Sequence, residues 1–150
     1  MFDKDFHEFV ESLEKTKARY LIVGGYAVGF YGHPRFTGDM DIWIEMTEEN
    51  ALKVLASIQI FGFDSLGITK ADLLKEGNII QMGSPPLRID LLTQVDGVTF
   101  QDCYPKRKTV IFSGLQYEFI GYQDLITNKL SSNRGKDIDD IENLRKKNAP

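Results

Sequence analysis

The chain has little with which to staple or anchor itself. A single cysteine, Cys103, excludes an internal disulfide. The N-terminus, MFDKDFHEFVESLEK, is acidic and amphipathic and lacks the basic start and apolar centre of an export signal. Together these features point to a reducing cytoplasm. No apolar run approaches the ~20 residues that cross a bilayer, so no membrane helix is expected. The two histidines, His7 and His33, are isolated in the sequence, which argues against a hydrolase built on paired His/Asp ligands. A net charge of −4 argues against a broad nucleic-acid-binding face, although two short basic runs, 106–108 and 145–147, are present. There is no repeat and no low-complexity segment. What remains is an ordinary globular composition, 42% hydrophobic over 150 residues, which predicts one domain spanning 1–150.

The most informative stretch is YLIVGGYAVGFYGHPRFTGDMDIWIE, residues 20–45. The apolar run Tyr20-Leu21-Ile22-Val23 reads as a buried strand. It ends at Gly24-Gly25, where backbone approaches a ligand with no Cβ in the way. Ala27, Val28, Phe30 and Tyr31 predict one short helix, broken at His33-Pro34. A second strand then starts on Asp39-Met40-Asp41 and runs into Ile42-Trp43-Ile44. Side chains two apart on a strand share a face, so Asp39, Asp41 and Trp43 point one way and Met40, Ile42 and Ile44 the other. Two like charges on one face repel unless a cation sits between them, and carboxylate oxygens suit a hard divalent ion. For an isolated Asp-x-Asp the plain reading is a polar strand start near solvent. The glycine pair 14 residues upstream of Asp39, with Arg35 and Thr37 between, shifts the balance toward a cation site.

On either side the reading is mostly of packing elements. Residues 3–17 form a helix with Phe2, Phe6, Phe9, Val10 and Leu13 at helical spacing, Asp3 as its cap and His7 in a structural role. Thr47 caps the next helix, whose apolar stripe is Ala51, Leu52, Leu55 and Ile58. A short helix over 69–75 is followed by strands at 78–82 and 87–93, joined by the turn 83–86. In the second of these, Leu87, Ile89 and Leu91 face one way and Arg88, Asp90 and Leu92 the other. An acid in so apolar a strand needs a partner: Asp90 is either in a salt bridge or a third cation-facing carboxylate. Residues 96–108 give no clear pattern, beyond Pro105 excluding one long helix. Residues 109–112 and 115–120 read as a hairpin about Ser113-Gly114.

In the helix predicted over 122–131, Lys129 falls between Leu125 and Ile126 on the wheel, on the inward face. In a last helix, 137–147, the stripe is Ile138, Ile141 and Leu144, with Asp137 and Asp140 beside or within it. An inward lysine and an inward aspartate should not be left unpaired. Lys129 either lays a buried stem along the core with its head in water or reaches a partner. Asp137 either caps its helix or is that partner.

Taken together, Gly24-Gly25, Arg35-x-Thr37-x-Asp39-x-Asp41, a later lone Asp90 on a strand, then Lys129, Arg134 and Lys136-Asp137-Ile138-Asp139-Asp140-Ile141 resemble the nucleotidyltransferase fold of the DNA polymerase β superfamily. Its small bacterial members related to AbiEii-type toxins are the most similar. The resemblance implies an α/β (α+β) fold: a mixed central β-sheet flanked by helices, with a helical C-terminus. It implies transfer of a nucleoside monophosphate from a nucleoside triphosphate, ATP among them, to a hydroxyl acceptor, with Mg²⁺ or Mn²⁺ in a two-metal arrangement. Asp39, Asp41 and Asp90 would then be the catalytic metal ligands. Gly24, Gly25, Arg35, Thr37, Lys129 and Asp137 would bind the nucleotide. The acceptor, whether a small molecule, a protein hydroxyl or an RNA end, is not legible, and a homodimer or partner protein is one way to complete its site. The alternative is a non-catalytic nucleotide-binding or toxin–antitoxin-type regulatory domain on the same fold.

Overall fold

The computed structural model describes residues 3–34, 38–63, 66–84 and 87–149, with Leu87 described by its backbone alone. Phe2, Arg35, Thr37 and residues 85–86 of the expected turn therefore lie outside the described residues. Among those described, seven helices surround a six-stranded mixed sheet. This is the α/β architecture that the family resemblance implied.

Helix α1 (Lys4–Thr16) begins where the Asp3 carboxylate accepts from the Asp5 N–H at 2.8 Å. It buries Phe6, Phe9, Val10 and Leu13, as their spacing predicts. The buried strand β1 (Tyr20–Val23) runs directly into α2 (Gly24–Phe30), which starts at the glycine pair itself, three residues earlier than the apolar pattern indicates. Strand β2 is Asp39–Ile44, and α3 (Glu48–Phe61) is capped by Thr47. In α3 the inward stripe is Ala51, Val54 and Ile58. Leu52, expected in that stripe, is 55% exposed, because Leu52 and Ile58 differ by six residues and cannot share a narrow face at 3.6 residues per turn. The Asn50 side chain bonds both Arg19 N–H and Arg19 C=O and the Glu45 C=O, tying the start of α3 to the ends of β1 and β2.

After the short α4 (Lys70–Leu73) come β3 (Ile79–Ser84) and β4 (Leu87–Leu92). Strand β3 extends two residues beyond Met82, so pairing takes up half of the expected turn. The stretch without a clear pattern contains α5 (Phe100–Cys103), capped by Thr99, and a 3₁₀ turn with Pro105 inside it. Strands β5 (Lys108–Phe112) and β6 (Leu115–Phe119) form the expected hairpin. Ser113 and Gly114 both have positive φ, 50° and 77°, as a two-residue turn matched to strand twist requires. Helices α6 (Tyr122–Ser132) and α7 (Gly135–Lys147) pack together at the C-terminal end.

The strand order is β3-β4-β2-β1-β6-β5. Strand β2 pairs antiparallel with β1 and parallel with β4. The face of β2 carrying Met40, Ile42 and Ile44 is fully buried. The other face carries the polar residues, and the β2–β4 register decides which of them meet.

Candidate active site

Across β2 and β4, Asp39 stands opposite Arg88, Asp41 opposite Asp90, and Trp43 opposite Leu92. Paired residues in neighbouring strands project to the same side. Asp39, Asp41 and Asp90 therefore share one face of the sheet. From the other flank, Val23 pairs with Asp41, which sets Gly24 against the Asp41 carboxylate. A Cβ at Gly24 would lie 2.2 Å from Asp41 Oδ2, and Gly24 has φ +67°. Both the left-handed backbone and the close approach require glycine here. Gly24→Ala is expected to displace the Asp41 carboxylate and to lower the thermal midpoint. Calorimetry showing unchanged stability and unchanged ligand affinity would contradict this.

These groups line a cleft of about 760 Å³, together with Lys129, Arg134 and Lys136. Arg88 is the central cation of its acidic wall. Its Nη2 donates to Asp39 Oδ2 at 2.8 Å, and its Nε donates to Asp90 Oδ1 at 2.9 Å. Arg88 is visible in the sequence as a face-mate of Asp90, yet strand periodicity offers no reason to expect one guanidinium to bridge two strands. Asp90 thus combines the two roles that the strand pattern allows: a salt bridge to its neighbour and a place beside Asp39 and Asp41.

Asp41 is the least compensated of the three. Burial, then the charges of Asp90 and Asp39, push its pKa up to about 6, against a partial offset from Lys136 and Lys129. Three carboxylates are the donor type that a hard divalent ion takes, but here Arg88 bonds Asp39 and Asp90 and the three do not gather their oxygens within 4.8 Å of one another.

Behind the cleft lies a second ionic cluster. Lys129 Nζ sits 3.0 Å from Asp137 Oδ1 and 3.1 Å from Asp140 Oδ2. The three side chains are 4%, 0% and 1% exposed. Asp137 Oδ2 also accepts from Ser132 Oγ at 2.9 Å, Arg134 Nε at 2.8 Å and the Arg134 backbone N–H at 3.3 Å. Asp137 is therefore not the N-cap, which is Arg134, but the third residue of α7, accepting from the Arg134 backbone N–H in a capping box and partnering Lys129, because the helix begins two residues earlier than the apolar stripe indicates. Burial alone would raise its pKa; the hydrogen bonds of Arg134, Lys129 and Ser132 outweigh that and hold it well below the usual carboxylate range. Lys129 does not have a wet head. Arg134 and Lys136 are the exposed cations of the cleft.

Ile138, expected in the stripe of α7, is 48% exposed, while Asp137 and Asp140 take inward positions. The polar network, not apolar matching, sets the phase of the helix here. His33, isolated in sequence, lies with Nε2 3.9 Å from Asp140 Oδ1. Candidate ligand atoms of His33, Asp139 and Asp140 come within 4.8 Å of one another, but Asp140 is already neutralised by the ammonium of Lys129. His7 Nδ1 bonds Tyr117 Oη at 2.6 Å, a structural contact.

The fold is that of the nucleotidyltransferases. The chain belongs to the family described as "Nucleotidyltransferase of unknown function (DUF6036)", whose model matches residues 2–146. No curated protein matches its sequence. Among solved structures, it is similar to an antigenic nucleotidyltransferase-like protein from Paracoccidioides brasiliensis, at 16% identity and TM-score 0.58 over 93% of this chain and 74% of that one. It is similar to the antibiotic-resistance factor ANT(2'')-Ia, at 11% identity and TM-score 0.57 over 95% and 81%. It is also similar to the lincomycin-bound lincosamide antibiotic adenylyltransferase LnuA, at 15% identity and TM-score 0.54 over 97% of each chain. At these identities the structures show the shared fold. The finer resemblance to AbiEii-related domains is not carried by these matches.

Proposed function

We propose that this chain transfers a nucleoside monophosphate from a nucleoside triphosphate to a hydroxyl acceptor. The observation that carries the reading is the register of β2 on β4, which sets Asp39, Asp41 and Asp90 on one face beside the Gly24 bend. The family and the adenylyltransferase described among the structural neighbours support it.

In this reading the acceptor oxygen attacks the α-phosphorus, the bond to the bridging α–β oxygen breaks, and pyrophosphate leaves. Asp39, Asp41 and Asp90 would hold Mg²⁺ or Mn²⁺, which, when bound, neutralises phosphate charge and favours both attacking and leaving oxygens. Asp90 takes the acceptor's proton, directly or through water. Gly24 and Gly25 let the phosphates approach the backbone. The exposed Arg134 and Lys136 meet the phosphate charge. Lys129 and Asp137 position these two residues by fixing the junction of α6 and α7. Arg35 and Thr37 belong to the same phosphate-binding set by resemblance.

Asp90→Asn tests the base. The amide keeps an acceptor oxygen for Arg88 Nε, so the fold is expected to hold while turnover falls by about 10²–10⁴, with triphosphate binding little changed. A collapse of thermal stability would make Asp90 a structural salt-bridge residue instead. The broader assay is incubation with each labelled triphosphate, Mg²⁺ and a cell extract, asking which fraction acquires label. Absence of label in every fraction, with triphosphate still bound, would favour a second reading. In that reading the chain is a nucleotide-binding regulatory domain, of the toxin–antitoxin type for example. One observation supports it: Arg88 already neutralises Asp39 and Asp90 as a bound cation would.

A further inference from the structure

Among the acidic side chains of the cleft, Arg88 takes the place that a cation would fill. Its Nε and Nη2 donate to the two oxygens of Asp90, at 2.9 and 3.2 Å, and the same Nη2 donates to Asp39 Oδ2 at 2.8 Å. One guanidinium thus bridges the carboxylates of two strands. It stays charged at any working pH, so these acids cannot shed it by its deprotonation. A divalent ion that is to take oxygens from both Asp39 and Asp90 has to displace it.

The surroundings of Arg88 let it move. On one flank its partner in the strand register is Asp39. On the other flank it is Gly83 of β3, which brings no side chain and belongs to the edge strand of the sheet. The Arg88 side chain is 26% exposed and lines the same cleft as Arg134 and Lys136. Lys129 makes an informative contrast. It too lies between two carboxylates, but it is 4% exposed and both of its partners are buried. That cation is fixed by burial, whereas Arg88 faces the cleft that a ligand enters. The oxygens of a triphosphate match the guanidinium fork as a carboxylate does, and with Arg88 turned to them Asp39 and Asp90 are left to join Asp41.

We propose that Arg88 is a displaceable counter-ion, which lowers the affinity of the nucleotide-free site for divalent ions until a nucleoside triphosphate draws the guanidinium away. This rests on the nucleotidyl-transfer reading and adds a regulation to it. Nucleotide and divalent ion then bind cooperatively, because each favours the state in which Arg88 has left the carboxylates.

The test is a titration of Mn²⁺ into the full-length, nucleotide-free protein, with the free ion followed by its paramagnetic resonance. Arg88→Met is expected to bind Mn²⁺ at least about tenfold more tightly than the wild type. Lys136→Met makes the same change of charge at an exposed position of the same cleft, and is expected to tighten binding by less than about threefold. Asp41→Asn on the Arg88→Met background is expected to remove the gain. If Arg88→Met does not fold, Arg88→Lys decides: it keeps the charge and loses the fork, and should still tighten Mn²⁺ about threefold. With metal chelated, calorimetry is expected to show ATP binding Arg88→Met, or Arg88→Lys in its place, more weakly than the wild type, about tenfold for the former. A gain no larger than that of Lys136→Met, a gain that survives Asp41→Asn, no gain in Arg88→Lys, or equal affinity for ATP would each overturn the proposal. If ATP binds the wild type and Mn²⁺ does not tighten in the variants, the proposal fails and the transfer reading stands. If the wild type binds ATP neither with Mn²⁺ nor without it, the transfer reading fails and the release of Arg88 by nucleotide falls with it.

Discussion

Replacing Asp41 by asparagine is expected to stabilise the metal-free protein and to abolish Mg²⁺-dependent triphosphate binding. The folded protein holds the Asp41 carboxyl near pKa 6, above its ordinary value of 3.8, chiefly by burial and then by Asp90 and Asp39. The native state therefore binds this proton more tightly than the unfolded chain. Stability tied to Asp41 is fully present below the ordinary value and is lost as pH rises through about 6, a loss of roughly 3 kcal/mol. An amide at this position cannot ionise, so the Asp41→Asn variant should lack this loss and melt several degrees higher near neutral pH. Mg²⁺ should reverse the order by stabilising the wild type and leaving the variant unmoved. Calorimetric melts at about pH 5 and pH 8, with and without Mg²⁺, test both halves. A variant that melts lower at the higher pH and binds triphosphate normally would remove Asp41 from the cation site. A residue that weakens the fold where it stands is common at functional sites, where local strain is retained for chemistry.

Lys129→Met is expected to be the most damaging single change to stability. The ammonium lies between two carboxylates that are almost completely sealed from water. Removing one member of such a cluster leaves buried negative charge in place and costs about 3–5 kcal/mol, which for a chain of this size is on the order of 10 °C in melting temperature. Ser132 and Arg134 still donate to Asp137, so Asp140, with His33 at 3.9 Å, is the group whose environment changes most. Lys129→Met combined with Asp140→Asn, which removes one of the two buried carboxylates, should recover part of the loss at neutral pH. If Lys129→Met melts like the wild type and loses only triphosphate affinity, Lys129 is a direct phosphate contact. In the arrangement seen here, Lys136→Ala, at an exposed position, should weaken triphosphate binding with little effect on melting.

The local elements were largely legible. The apolar spacing of α1, the unbroken run of β1, the Thr47 cap and the Ser113-Gly114 hairpin are all short-range effects, written in neighbouring residues. The wheel placed Lys129, Asp137 and Asp140 inward for the same reason. Legibility failed where a distant partner decides. Helix α5 is only four residues long, and Phe100 within it packs on Trp43, far away in sequence. Ile138 reads as core and is displaced outward by the ion cluster on α7. His33 reads as isolated until α7 brings Asp140 against it.

The sequence by itself determined that Asp39 and Asp41 share a face, that Asp90 and Arg88 share a face, and that a glycine bend precedes them, because a strand alternates its side chains with period two whatever surrounds it. Only the tertiary structure decided that the two faces are one. Strands β2 and β4 are separated by two helices and another strand, and their parallel register is set by burial of Met40, Ile42, Ile89 and Leu91 in a common core. A slip of one residue would bury the carboxylates and expose that core, at an energetic cost far larger than any local preference.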